Sequence, residues 1–148
     1  MGFLDWLLGP GDIPTDSEFP TPVHLARGRG FTFEVVGEAN YQDALDVLCG
    51  GKCEDGHKLE ARAQLIFQED NPYDPNAIAV LIDRRLVGYV PRDLARSMRS
   101  AILTLNPEER PVTCDALVVG GWLRDEDDEG HYGVRLSLAH PLRLATAR

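Results

Sequence analysis

The stretch that most constrains this chain is EDNPYDPNAIAV, at residues 69–80. Pro72 and Pro75 each fix φ near about −65° and remove a backbone donor, so neither a helix nor a central strand runs through them. The Asn and Asp residues around them are of the types that hydrogen-bond their own backbone in turns. Apolar residues follow from 77 to 82, as in a short buried strand. The sequence therefore predicts a rigid turn that presents an aromatic ring, a carboxylate and two amides as a fixed polar pocket.

The rest of the chain is typical of short strands with two helices. One helix is predicted to begin at Asn40, as its N-cap, and to end at Gly50-Gly51. The other is predicted over 92–105 and ends at Asn106-Pro107. Strands are predicted from apolar runs and period-two alternation over residues 31–37, 59–67, 77–82, 86–90, 112–118 and 132–138. This pattern predicts a mainly β fold with two helices, built as a small curled antiparallel sheet or barrel of about six strands.

Three segments are expected along the chain. Residues 1–30 are interpreted as a short apolar helix at 3–8 followed by an irregular, Pro-rich linker. Residues 31–140 form the predicted domain, and residues 141–148 a C-terminal tail. An acidic hairpin loop is predicted at 124–130.

Net charge limits the kind of ligand. The chain has 24 acidic residues against 15 Lys and Arg, a net charge of −9. This argues against binding to long stretches of phosphate backbone, which depends on many basic contacts, but it allows a small pocket that holds one strand end. Three cysteines indicate a reducing compartment rather than a disulfide framework. The apolar start of the chain is too short to span a membrane, so we expect a cytoplasmic protein.

Two blocks of the sequence carry a resemblance to a known family. They are NPYDPNAIAV at residues 71–80 and LVGYVPRDLA at 86–95, with FEVVG at 33–37 and Tyr41 upstream. At this spacing they resemble the signature of the HIRAN domain over about residues 31–140. That family occurs at the N-terminus of Swi/Snf-type DNA-remodelling helicases and as free-standing bacterial domains. The resemblance implies an OB-like barrel.

The resemblance also implies a function, the recognition of a 3′ end of single-stranded DNA in DNA repair or replication-fork processing. Tyr73 would stack on the terminal base, and Asp74 would accept a hydrogen bond from the free 3′-hydroxyl. Asn71 would donate to the terminal backbone, and Tyr41 would supply a second ring. Tyr89, in the second block, is a further candidate contact, at a position where a donor such as His or Lys would suit a phosphate better.

A basic window supports the same interpretation. Arg92, Arg96 and Arg99 share one face of the predicted helix, where they would follow the phosphates that lead into the pocket. A solvated helix face is the alternative for these arginines. For the loop, the alternative is that its Asn and Asp residues only shape the turn while Tyr73 packs on the barrel.

Other functions have weaker support. A protein-interaction adaptor that uses the barrel, the N-terminal helix and the acidic loop is the main alternative, and its partner would be a helicase, nuclease or other repair protein. Cys49, Cys53 and His57 form a Cys-x3-Cys-x3-His run, but zinc needs a fourth ligand, for which Asp55 or Cys114 would have to serve. No cofactor is therefore expected. No catalytic motif occurs, so the sequence predicts a binding module rather than an enzyme.

Overall fold

The computed structural model describes residues 21–146, which form a mainly β fold with two helices. The elements are β1 (Val23–His24), β2 (Phe33–Glu34), a 3-10 helix (Glu38–Tyr41), α1 (Gln42–Cys49), β3 (His57–Phe67), β4 (Ile78–Ile82), β5 (Arg85–Tyr89), α2 (Arg92–Leu105), β6 (Val112–Gly120), β7 (Leu123–Asp125), β8 (Asp128–Glu129) and β9 (Tyr132–Ser137). Among these residues, no helix is long and apolar enough to cross a membrane.

Six strands form one curled antiparallel sheet in the order β2-β9-β6-β3-β4-β5. The two ends of this sheet meet, because Val36, just after β2, pairs with Tyr89 of β5. Their backbones exchange two hydrogen bonds of 2.9 and 2.8 Å. The bridge curls the sheet towards a barrel, which confirms the predicted OB-like architecture. It also places Tyr89 beside the chain that leads into the 3-10 helix.

The main core fills the inside of the curl. Side chains from most of the strands and from both helices pack there, including the fully buried Leu45, Ile78 and Ile102. Ile66 interrupts the alternation of β3, and the structure explains why. It points to the opposite face from Leu65 and packs with the buried Ala79 in a second, smaller cluster, against which Leu81, Leu86 and Tyr89 also pack.

The predicted linker is wrong for the residues after 22. β1 pairs in parallel with β6, and Leu25 is fully buried in the main core. The segment predicted as a tail is also packed. Leu144 forms an antiparallel β-bridge with Leu25, and the N–H of Ala145 donates to the carbonyl of His24 at 2.7 Å. These segments stabilise each other across more than 100 residues, which no local pattern reveals. The helix predicted at residues 3–8 lies outside the described residues.

Smaller differences occur in the helices and in β3. Asn40 does not cap α1, because a 3-10 turn precedes the helix and Tyr41 takes the N-cap position. Leu94 and Leu59, which the helical and strand periods would put on the buried faces, are 41% and 38% exposed. Ala95 takes the place of Leu94 in the core. The α2 boundaries agree with the prediction, and the acidic loop forms the β7–β8 hairpin as expected.

Candidate nucleic-acid interface

The loop between β3 and β4 is held by its own side chains. Oδ1 of Asn71 accepts the N–H groups of Tyr73 and Asp74 at 2.8 and 3.1 Å. Oδ1 of Asp74 then accepts the N–H of Asn76 at 2.9 Å, and its carbonyl accepts the N–H of Ala77 at 3.0 Å. These are two successive Asx turns, as the sequence indicates. The loop is therefore preorganised before any ligand arrives.

Gln68 ties this loop to the sheet, and sequence reasoning missed it. Its Oε1 accepts hydrogen bonds from Nδ2 of Asn71 at 3.1 Å and from the Tyr89 hydroxyl at 3.0 Å. Its backbone N–H donates to the carbonyl of Ala77 at 2.9 Å. The link to Tyr89 spans 21 residues. Since Gln68 belongs to no motif, only the approach of β5 to the loop reveals its role.

Tyr73 and Asp74 differ in how far their side chains are exposed. The Tyr73 side chain is 83% exposed, so it does not pack on the barrel. Asp74 is partly buried, and within residues 21–146 its carboxylate accepts a hydrogen bond through Oδ1, which leaves Oδ2 without one. Nη2 of Arg92 donates to the Tyr73 carbonyl at 3.1 Å, which brings the first turn of α2 to the same corner.

Tyr41 and Tyr89 form a second aromatic element next to this loop. Their ring centroids are 6.5 Å apart and the rings are tilted by 48°. Burial, followed by the neighbouring Tyr89 phenol, raises the pKa of the Tyr41 hydroxyl. A chain of contacts runs from Tyr41 through Tyr89 and Gln68 to Asn71. In the described part of the chain, no direct contact joins the Tyr41 and Tyr73 rings.

Comparison with known families identifies the domain. The family model of the HIRAN domain matches residues 25–116, which include the whole β3–β4 loop, β5 and α2. The chain belongs to the HIRAN domain family. This is a family of binding domains that is generally linked to nucleic-acid binding. Comparisons with curated proteins and with solved structures found no match.

The arginines of α2 divide into two groups in this HIRAN domain. Arg92 and Arg96 are exposed on the same side of the helix. Arg99 instead forms an ion pair with Glu69, and its guanidinium lies 5.2 Å from the centroid of the Phe67 ring. Within residues 21–146 the predicted arginine face is thus reduced to Arg92 and Arg96, which have no ion pair although Arg92 donates to the Tyr73 carbonyl, while Arg99 braces the start of the loop.

The weak metal candidates lie together without forming a cluster. Sγ of Cys53 is 3.7 Å from Nε2 of His57, but the same nitrogen is 2.8 Å from the Gly51 carbonyl. Burial raises the pKa of the Cys49 thiol, and Cys114 is sealed in the core. Across residues 21–146, no three Cys, His, Asp or Glu side chains gather in a way that suits a metal ion.

Proposed function

We propose that this HIRAN domain binds the free 3′-hydroxyl end of single-stranded DNA, without cutting it, in repair or replication-fork processing. The observation that carries the proposal is the exposed Tyr73 ring beside Asp74, on a loop held by its own hydrogen bonds. In this proposal the domain is a cytoplasmic binding module, and a partner helicase or nuclease supplies the chemistry.

Base stacking provides most of the affinity. Every base has a π-face, so an exposed tyrosine stacks without sequence preference and contributes roughly 1–3 kcal/mol per base. Tyr73 has a backbone already ordered by Asn71 and Arg92. Binding therefore orders only the side chain, and less conformational entropy is lost than on a flexible loop.

Asp74 provides the selectivity for the end of the strand. A carboxylate accepts a hydrogen bond from a hydroxyl but repels a phosphate. A 3′-phosphate or an internal phosphodiester would place negative charge against Oδ2, whereas a free 3′-hydroxyl donates to it. In this proposal Arg92 and Arg96 contact the phosphates behind the terminal nucleotide. The small number of such contacts agrees with a net charge of −9 and with a short footprint.

The first test compares short single strands that end in a 3′-hydroxyl or a 3′-phosphate, by fluorescence anisotropy. The wild type should prefer the hydroxyl about tenfold or more, as one charge-assisted hydrogen bond contributes about 1.5–3 kcal/mol. Asp74→Asn should lose this preference, since its Oδ1 still accepts the Asn76 N–H while the charge is gone. Equal affinity of the wild type for both ends would refute the role of Asp74.

The chain offers a matched control for this variant. Oδ1 of Asp125 accepts the N–H of Asp127 at 2.8 Å, the same local geometry as at Asp74 but in the β7–β8 hairpin. Asp125→Asn should keep the preference for the hydroxyl. Tyr73→Ala should weaken binding of both strands by roughly 5- to 150-fold, the equivalent of one stacked base, while Tyr73→Phe keeps most of the affinity.

A further inference from the structure

A basic cleft lies between residues 27–32 and 138–143, and it shares no lining residue with the β3–β4 loop. It has a volume of about 620 Å³ and is lined by Arg27, Arg29, His140 and Arg143 together with small and apolar residues. No acidic side chain is among its lining residues. Three guanidinium groups around one opening are notable in a chain with a net charge of −9, because the average surface is acidic.

Backbone contacts build this cleft from two distant segments. The N–H of Ala26 donates to the carbonyl of Arg143 at 2.8 Å, and the N–H of Ala139 donates to the carbonyl of Ala26 at 2.9 Å. The N–H of Gly28 donates to Oγ of the fully buried Ser137 at 3.1 Å. A Cβ at Gly28 would lie 2.3 Å from the carbonyl oxygen of Leu138, so only glycine allows this approach. The arginine backbones are therefore held in place around the opening.

The arginines differ in how far their charge is already used. Arg27 lies 3.4 Å from the Asp115 carboxylate and 5.1 Å from the centroid of the Phe31 ring. Arg29 and Arg143 are exposed, and within residues 21–146 they have no ion pair. The Arg27 guanidinium is thus already engaged by Asp115 and Phe31. The guanidinium groups of Arg29 and Arg143 are available for a ligand.

We propose that this cleft is a second binding site, which takes a phosphate group through Arg29 and Arg143. The guanidinium fork matches phosphate oxygens in a bidentate geometry, and the phosphate charge offsets two arginines that have no acidic partner in the described chain. The ligand is either an internal phosphodiester of a polynucleotide or a free phosphate. The site does not depend on recognition of a 3′ end.

A circular single-stranded oligonucleotide tests this site apart from the 3′-end site, because it has no terminus. The double variant Arg29→Ala/Arg143→Ala should bind the circle about tenfold more weakly than the wild type. The slope of log affinity against log salt should fall by about 1.4, for two single-strand phosphate contacts. Arg85→Ala/Arg135→Ala is the control, since both residues are exposed and the net charge changes equally.

A second arm titrates inorganic phosphate and follows the arginine side-chain NMR signals. If phosphate shifts Arg29 and Arg143 but the circle does not bind, the cleft takes a free phosphate, and the proposal still holds. Unchanged Arg29 and Arg143 signals on addition of phosphate, together with equal binding of the circle by the wild type and the double variant, would overturn it. The hydroxyl preference of linear strands, which depends on Asp74, should persist in the double variant, so failure of either proposal is recognised separately.

Discussion

Asn71 has a structural role in addition to the predicted contact with DNA. Its Oδ1 accepts two backbone N–H groups and its Nδ2 donates to Gln68. An amide NH₂ has two hydrogens, so one is still free to reach a bound strand, and that contact stays a prediction. The residue therefore holds Tyr73 and Asp74 in place whether or not it touches the ligand.

Replacing Asn71 should separate these contributions. Asn71→Ala removes the acceptor of two N–H groups and should lower the free energy of unfolding by about 1–2 kcal/mol, measured by urea denaturation. Asn71→Asp keeps an acceptor for both N–H groups and should cost less than half as much. Equal losses would show that the donation to Gln68, which both variants remove, is the more important contact.

At the residue scale, the sequence predicts which side chains the β3–β4 loop carries. It does not predict which distant residues contact that loop. Turn chemistry and two prolines place Tyr73 and Asp74 on one short loop, because all the interactions involved are local. Gln68 and Arg99 depend on residues 21 and 30 positions away. Such pairs arise from the path of the sheet, which a local pattern does not contain.

At the level of elements, the contact between β5 and residues 35–36 positions the rings of Tyr41 and Tyr89. A Cβ at Gly88 would lie 2.4 Å from Cγ1 of Val35 and 2.7 Å from the Val36 carbonyl oxygen. Only glycine lets the strands approach closely enough for the Val36–Tyr89 bridge. The geometry of Tyr41 and Tyr89 therefore depends on this contact.

Gly88→Ala should destabilise the domain by about 1–3 kcal/mol, the usual cost of overpacking, and should weaken DNA binding by moving Tyr89. Gly133→Ala is a matched control on β9, because its Cβ would meet its nearest neighbour at an ordinary 3.6 Å. Thermal unfolding and anisotropy measure the two effects. Similar behaviour of both variants would show that the close approach at Gly88 is unimportant.

Elements with strong periodicity were predicted well. The α2 boundaries follow from Pro91 on one side and Asn106-Pro107 on the other, which are local stop signals. β1 was missed because two residues of strand, Val23–His24, carry no periodicity. They become a strand only when β6 supplies the backbone partners.

At the level of the whole molecule, several buried ionisable groups make stability sensitive to alkaline pH. Burial raises the pKa of the Cys114 thiol from 9.0 to about 12. Burial and the Asp46 carboxylate, which accepts the Tyr132 hydroxyl at 2.6 Å, raise the pKa of Tyr132 as well. In each case the neutral form is favoured by folding. The stability is therefore fully present below the unfolded pKa and is lost as pH rises towards the folded one.

We expect the free energy of unfolding to be steady up to about pH 9 and then to fall. Each group that ionises only in the unfolded state contributes a slope of about −1.4 kcal/mol per pH unit. Cys114→Ala should make the slope between pH 9 and 11 shallower, and Cys53→Ala, at an exposed thiol, should change it much less. Denaturation at a series of pH values measures this, and a flat profile in the wild type would contradict it.

Local patterns in the sequence were sufficient for the strand and helix periods, for the braced loop with Tyr73 and Asp74, and for the family. These depend on interactions within a few residues and on side-chain alternation. Tertiary structure alone brought Leu25 to Leu144, Gln68 to Tyr89, and Arg27 and Arg29 to Arg143. Each of those pairings joins segments that lie far apart in the sequence and meet only in the folded sheet. Their contact is a balance of packing over the whole chain, which no single stretch encodes.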